Sequence, residues 1–249
     1  MSLDTFDGSD YQKYKLEVEQ NPELIINVEE VIMLDVQRSV HNMPGVDPTV
    51  LSSILKSYAL FNPEIEYCQG MNFIAGFLMM VFKNEETTFN ALRSLVSEFR
   101  MADLFNTELP KLKVFFFQLD RMVSIVDSDL HGHFKEEGIN ASYFASAWFI
   151  TLFTNSLKQN QDSNFVINES LMQLWDYFLV SGWKAIAKLG LFVLKTGSND
   201  LRGMAFEEIL NEISEYPKRI LTAQRESTLY LTLAAGYSGQ MISYHLDRL

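Results

Sequence analysis

Residues 66–82 read EYCQGMNFIAGFLMMVF, in which a short polar segment leads directly into ten residues without a polar side chain. A helix formed by residues 73–82 is apolar on every side, and such a helix belongs in a protein interior. The apolar run is too short to cross a bilayer, which needs about 20 residues. The segment therefore predicts a buried central helix, with the polar residues 66–72 at its N-terminal end.

Helix signals also surround this segment. Helix starts are indicated where an Asn or Asp precedes Pro or an apolar spacing of three and four residues, at Asn21, Asp47, Asn84 and Asn168. Asn62, followed by Pro, marks a turn after a helix. No run alternates like a strand between hairpin turns. These patterns predict an all-α protein of about ten to thirteen helices.

The size and composition are those of a globular protein. The chain has 249 residues, of which 47% are hydrophobic and 21% charged, so it can bury a sizeable core. No repeat or low-complexity tract divides it. The polar residues 135–138 form the predicted seam of one extended domain, with helical lobes at about 8–135 and 138–249.

The charge of the chain argues against several classes of partner. A net charge of −12 repels phosphate backbones, so nucleic acid and anionic membranes are not expected as direct partners. Cys68 is the only cysteine, which excludes an intrachain disulfide and a Cys-rich zinc site and fits a reducing compartment. The first 20 residues lack the apolar stretch of a secretory signal. We therefore expect a cytoplasmic protein.

The first candidate constellation lies on a helix predicted from about residue 22 to 40. Its predicted apolar stripe contains Leu24, Val28, Val31 and Ile32, and Asp35 falls near the same face. Arg38 follows one turn later. A partly shielded Asp35 could then hold the base of an arginine that leans outward. The alternative is an ordinary surface ion pair of little energetic consequence.

The second candidate constellation is the polar start of residues 66–82. Gln69 and Gly70 precede the central helix, so a glutamine amide is held by a rigid element and the positive end of the helix dipole points to the same place. That arrangement suits a nearby phosphate. The alternative is a glutamine that only bonds loop backbone. Cys68 is interpreted as a small buried residue rather than a nucleophile.

Together these residues resemble the two finger motifs of the TBC family, Ile-x-x-Asp-x-x-Arg and Tyr-x-Gln-Gly. Ile32, Asp35 and Arg38 match the first motif; Tyr67, Gln69 and Gly70 match the second. The resemblance covers about residues 11–235 and implies an all-α TBC-type domain. Further similar segments are Leu109-Pro110, Leu119-Asp120, His133-Phe134, residues 144–149, Leu174-Trp175-Asp176 and residues 186–194.

The sequence departs from the family pattern in two places. The family commonly has an Arg and a Trp on a helix before the first finger, and no residue before Asp35 is either. We therefore expect the domain to lack the family's first helix or helices. After the arginine the family usually has Thr and then an aromatic residue or Pro, whereas this chain has Ser39 and Val40. Serine keeps the hydroxyl.

The resemblance implies a GTPase-activating protein that acts on a Rab-family GTPase in its GTP form, in vesicle trafficking. Arg38 and Gln69 would act in trans as catalytic fingers, Asp35 would orient Arg38, and Tyr67 and Gly70 would support Gln69. GTP and Mg²⁺ would belong to the partner, since this chain has no P-loop and no cofactor of its own is expected. Recruitment to membranes would be peripheral and through the partner, without insertion.

Two other classes of function remain open at this stage. A non-catalytic helical module could bind a Rab or another trafficking protein, although inactive relatives would be expected to lack Arg38 or Gln69. A metal hydrolase could use His131, His133 and Glu136 or Glu137, but a His-x-His spacing does not place both rings on one helical face. No motif names the Rab, because partner choice depends on scattered surface residues.

Overall fold

Helices make up all the regular secondary structure that we observe. The computed structural model describes residues 9–105, 109–156 and 169–223, and among these it contains twelve α-helices, four short 3-10 helices and no β-strand. The all-α prediction is therefore confirmed. By their internal contacts the described residues form two compact units, 9–105 and 109–156 with 169–223. Residues 135–138, the predicted seam, lie inside the second unit, where residues 135 and 136 end a helix that packs on the first helix of that unit.

The first unit contains six helices. They are α1 (Ser9–Gln20), α2 (Ile26–Ser39), α3 (Pro48–Phe61), α4 (Met71–Phe82), α5 (Glu85–Glu98) and α6 (Ala102–Phe105), with 3-10 helices at Pro22–Ile25 and Val40–Asn42. The second unit contains the other six. They are α7 (Pro110–Val126), α8 (Ser128–Glu136), α9 (Ser146–Thr151), α10 (Glu169–Ser181), α11 (Trp183–Leu201) and α12 (Phe206–Ala223), with 3-10 helices at Ala141–Tyr143 and Thr154–Ser156.

Side-chain caps start two of the helices predicted from capping residues. The Asp47 carboxylate accepts a hydrogen bond from the backbone N–H of Thr49 at 2.7 Å, and Asn84 accepts one from Thr87 at 2.9 Å. Asn21 behaves differently, since its side chain makes no N-cap hydrogen bond and a 3-10 helix follows it before α2 begins. Asn168 lies outside the described residues. Helix α3 ends immediately before Asn62, as the Asn-Pro turn predicts.

Helix α4 is the central helix of the first unit. It packs against α2, α3 and α5, and most of its side chains are buried. Gly76 permits the closest approach, because a Cβ atom there would lie 2.2 Å from the sulfur of Met43. The prediction from residues 66–82 is therefore confirmed. None of the helices in the described ranges has the length and apolar character needed to cross a membrane.

The buried face of α2 differs from the predicted apolar stripe. Leu24 and Val31 are 51% and 46% exposed, so the stripe assigned to them is wrong. Asp35 does lie on the buried face, as expected. The helix packs on α3 and α4 through a face turned away from Val31, which buries Asp35 and Ser39 beside apolar residues and leaves Val31 outside. The buried residues are Ile25, Ile32, Asp35, Val36 and Ser39.

A buried carboxylate joins three segments of the second unit. Asp127 caps α8 by accepting the Leu130 N–H at 3.1 Å, and it also accepts hydrogen bonds from Lys195 and Ser198 of α11 at 3.0 and 2.7 Å. Burial opposes the charged form. The bonds from Ser198, from the Leu130 backbone and from Lys195 outweigh burial and lower the pKa of Asp127 to about 2.

This shift predicts an acid-sensitive contribution to stability. Because the folded-state pKa of Asp127 lies below its usual value of 3.8, the contribution is present above about pH 4 and is lost as the pH falls toward 2. Its size is on the order of 2 kcal/mol in unfolding free energy. We expect denaturant unfolding of Asp127→Asn to show this loss already at pH 7. The matched variant Asp129→Asn, at a carboxylate that is 76% exposed, should behave as wild type.

Candidate functional site

The C-terminal end of α2 presents a charged pair of unequal exposure. Asp35 is 7% exposed and Arg38 is 72% exposed, and 4.0 Å separates the Asp35 Oδ1 and Arg38 Nη1 atoms. That distance is at the outer limit of an ion pair, so the carboxylate lies near the guanidinium but makes no hydrogen bond to it. Arg38 is therefore carried by a helix whose other face is buried, while its charged end extends into solvent.

The segment between α3 and α4 carries the second motif in a tightly turned backbone. The N–H groups of Ile65 and Glu66 both donate to the Asn62 carbonyl, and Glu66 has a φ of 52°, which is unfavourable for a side chain with a Cβ atom. Gly70 has a φ of 108° at the start of α4. Glycine is required there, because other residues rarely adopt that conformation. The local conformation thus delivers Gln69 directly before the buried helix.

A hydrogen bond joins the two motifs. The Tyr67 hydroxyl donates to Oδ2 of Asp35 at 2.8 Å, although the two residues are 32 positions apart. Burial, followed by the hydrogen bond to Asp35, raises the pKa of Tyr67 well above its usual value, so the hydroxyl remains a donor. Asp35 therefore faces Tyr67 through one oxygen and Arg38 through the other.

Asn72 makes a second link and carried no predicted role. Its amide donates to the backbone carbonyl of Asp35 at 3.2 Å and to the Ser39 hydroxyl at 2.9 Å. Its oxygen accepts the Gly70 N–H at 3.2 Å. One buried side chain thus ties α2 to the backbone that follows Gln69. The sequence did contain a signal, an amide side chain in an otherwise apolar helix. A buried amide must find hydrogen-bond partners.

The Gln69 side chain is exposed and is not used to hold the loop. Among the described residues its amide makes no hydrogen bond, which disfavours the alternative of a purely structural glutamine. The neighbouring Cys68 thiol is half-buried. Burial, with a smaller effect of the Asp35 charge, raises the pKa of Cys68, so the thiolate is disfavoured. The structure therefore supports the interpretation of Cys68 as a non-nucleophilic residue.

Removing the Tyr67 hydroxyl tests the link between the motifs. Tyr67→Phe leaves one oxygen of the buried Asp35 carboxylate without its donor, so we expect a loss of about 2 kcal/mol in unfolding free energy. Tyr143→Phe is the matched control, because Tyr143 is 53% exposed. Equal stabilities of the two variants in urea would contradict a role for the hydrogen bond.

The histidines considered for a metal site have other partners. Nε2 of His131 lies 3.4 Å from Asp120, whereas Nε2 of His133 is 2.9 Å from the carbonyl of Met204. Within the described ranges, no group of three or more His, Cys, Asp or Glu residues is arranged to hold a metal ion. The geometry therefore offers no positive support for the metal-hydrolase alternative.

Residues 3–202 match the Rab-GTPase-TBC domain family. The chain belongs to this family. The match starts before the first finger and includes both motifs, so the TBC assignment rests on most of the chain rather than on two short patterns.

Curated relatives of this TBC domain are considerably longer proteins. The ecotropic viral integration site 5 ortholog of Drosophila melanogaster is 31% identical over 77% of this chain and 23% of its own length. The Caenorhabditis elegans protein named Rab GTPase-activating protein eat-17 is 30% identical over 73% of this chain and 20% of its own length. The chain thus spans about a fifth of the length of these relatives.

Solved structures support the TBC fold. The TBC domain of a Chlamydomonas flagellar RabGAP superposes with a TM-score of 0.67 at 21% identity, covering 86% of this chain and 71% of that one. The Ypt/Rab-GAP domain of Gyp1p gives a TM-score of 0.64 at 16% identity, covering 96% and 82%. At these identities the likeness concerns the fold alone.

Proposed function

We propose that this TBC domain accelerates GTP hydrolysis by a Rab-family GTPase, and that Arg38 and Gln69 supply the catalytic groups. One observation carries the proposal. The Arg38 and Gln69 side chains are both exposed, and hydrogen bonds join the segments that carry them. Tyr67 donates to Asp35, and the buried Asn72 side chain bonds Gly70 and Ser39. The family membership and the names of its relatives agree with this activity.

The charge of Arg38 suits phosphoryl transfer. During GTP hydrolysis negative charge builds up on the phosphate oxygens, and an arginine inserted by a partner stabilises it, an effect of about 10³ to 10⁵ in rate. A planar guanidinium can contact two of these oxygens, which a lysine cannot do in the same geometry. At 72% exposure Arg38 can reach a partner without disturbing the fold.

Gln69 supplies the second group. An amide both donates and accepts hydrogen bonds, so it can orient the attacking water while contacting a phosphate oxygen. Among the described residues, the Gln69 amide makes no hydrogen bond. The backbone beside it is fixed by the hydrogen bond between Gly70 and Asn72. Gln69 would thus take over the role of the GTPase's own water-positioning glutamine.

The nucleotide and Mg²⁺ come with the partner GTPase, because the chemistry assigned to this chain requires only an arginine and an amide. We further propose that the protein acts in the cytoplasm and meets membranes through the Rab it binds. For this function we propose that the chain itself binds neither nucleic acid nor a metal ion.

Asp35 supports Arg38 in this proposal without taking part in proton transfer. In Asp35→Asn the new amide oxygen can still accept the Tyr67 hydroxyl, so the fold should be retained. Loss of the charge 4.0 Å from Arg38 should lower the hydrolysis rate only about fivefold, as expected for a weak ion pair. The rate is measured as single-turnover GTP hydrolysis, and Asp103→Asn, at an exposed aspartate on α6, is the control. A loss as large as that of Arg38→Ala would assign Asp35 a direct catalytic role.

A screen of purified, GTP-loaded Rabs tests the proposed function. Phosphate release is measured with and without the chain, and we expect at least one Rab to be accelerated by orders of magnitude. Binding is measured in parallel by calorimetry. A Rab that binds tightly without faster hydrolysis would favour the non-catalytic module. A complete panel with neither binding nor acceleration would refute the proposal.

A further inference from the structure

Helix α2 carries apolar residues that its own unit leaves in solvent. Val31 is 46% exposed and Leu34 is 42% exposed, although the opposite face of the helix is buried against α3 and α4. Glu30 is also exposed, and its carboxylate makes no ion pair or hydrogen bond with another described residue. We call Glu30, Val31 and Leu34 the outer face of α2.

The outer face is in line with Arg38. At 100° per residue, positions 31, 34 and 38 lie within about 60° of one another on the helix surface. At a rise of about 1.5 Å per residue, Leu34 is roughly 6 Å and Val31 roughly 10 Å from the position of Arg38 along the axis. A partner large enough to receive the Arg38 side chain in its nucleotide site must therefore also cover this face.

We propose that the outer face of α2 is a docking surface for the GTPase, and that it helps determine which GTPase is accepted. This inference rests on the proposed function. The fitting partner has an apolar patch beside its nucleotide site, which covers Val31 and Leu34, and a basic residue at the edge of that patch, which pairs with Glu30. The net charge of −12 also favours a partner with a cationic rim.

The face should act on recognition rather than on chemistry. Apolar side chains at an interface strengthen the ground-state complex and the transition state equally, so their loss raises the half-saturating concentration and leaves the saturated rate unchanged. This separates the outer face from Arg38 and Gln69, whose loss lowers the saturated rate. The two kinds of effect can be measured in the same titration.

The decisive test of the docking surface compares Leu34→Asp with its matched control, Met33→Asp. Met33 is 44% exposed on the same helix but lies about 140° around from Arg38. With the Rab found in the screen, we expect Leu34→Asp to raise the half-saturating Rab concentration at least tenfold, because it places a charge in an apolar contact. The saturated rate should stay within about twofold, and Met33→Asp should match wild type in both quantities.

The charge of the partner is tested independently. Glu30→Lys should raise the half-saturating concentration about fivefold, whereas Glu23→Lys, at another exposed glutamate of the first unit, should change it by less than twofold. An unchanged value for both Leu34→Asp and Glu30→Lys, with an active wild type, would overturn the docking surface and leave the proposed function intact. A wild type that accelerates no Rab would instead refute the proposed function.

Two further outcomes would assign the face to another occupant and overturn the proposal. If Leu34→Asp turns a dimeric wild type into a monomer in sedimentation while its titration with the Rab stays unchanged, a second copy of the chain covers the face. If Leu34→Asp lowers the melting temperature strongly and Met33→Asp does not, the chain itself covers it. We expect neither change.

Discussion

Arg38→Ala will reduce the single-turnover rate of GTP hydrolysis by the cognate Rab by about 10³-fold or more, with little change in protein stability. The large kinetic effect follows because an arginine supplied in trans stabilises transition-state charge in a site from which water is excluded. The small effect on stability follows because the side chain is 72% exposed and its ion pair with Asp35, at 4.0 Å, is a weak one.

Two variants sharpen this prediction. Arg38→Lys keeps the charge but loses the planar fork, so it should recover only a minor part of the rate. Arg121→Ala removes an exposed arginine from α7 and should leave both rate and melting temperature unchanged. Full activity of Arg38→Ala at saturating Rab would exclude the arginine-finger mechanism, whatever the binding affinity.

Gln69→Ala is expected to lower the same rate by about 10² to 10³-fold, the range for loss of one group that contacts the transition state through hydrogen bonds. The fold should be preserved, because the amide makes no hydrogen bond to the described residues and the glycine conformation at the start of α4 belongs to Gly70, not to Gln69. Gln37→Ala, an exposed glutamine on α2, is the control. Combining Arg38→Ala with Gln69→Ala should cost less than the sum of both effects, since the two groups act on one transition state.

A GTPase variant separates the role of Gln69 from that of Arg38. If Gln69 replaces the Rab's own glutamine, a cognate Rab whose catalytic Gln is changed to Leu should still be stimulated substantially. An activator that supplied only Arg38 would fail on this variant, because nothing would orient the water. Normal binding of the Leu variant without stimulation would therefore show that Gln69 is not the water-positioning group.

The helices could largely be predicted from sequence, because their determinants are local. Asp47 and Asn84 cap helices through bonds to residues two and three positions away, and the apolar run after Gly70 has no alternative to burial. The predictions that were wrong concern positions where the local sequence pattern and the packing of the helices favour burial of different residues. On α2 the predicted stripe included Val31, but the buried positions include Asp35 and Ser39, and a periodicity of apolar residues cannot indicate that a polar residue is buried.

The residues of the candidate site could be predicted from sequence, but the hydrogen bonds between them could not. Arg38 and Gln69 were found through motifs, and the exposure of both side chains agrees with their assigned chemistry. Asn72 had no assigned role, since an amide within an apolar run can have many partners. Only the fold shows that these partners include Asp35, Ser39, Tyr67 and Gly70.

By itself, the sequence determined that the chain is helical, that residues 73–82 lie in a central helix, and which two motifs carry candidate chemistry. Each of these depends on interactions within a few residues, or on the burial of apolar side chains away from water. The tertiary structure alone decided that Tyr67 bonds Asp35 and that Asn72 bonds the end of α2, across 32 and 37 positions. It also decided that Val31 and Leu34 stay outside, because packing against α3 and α4, rather than hydrophobicity, selects the face of α2 that is buried.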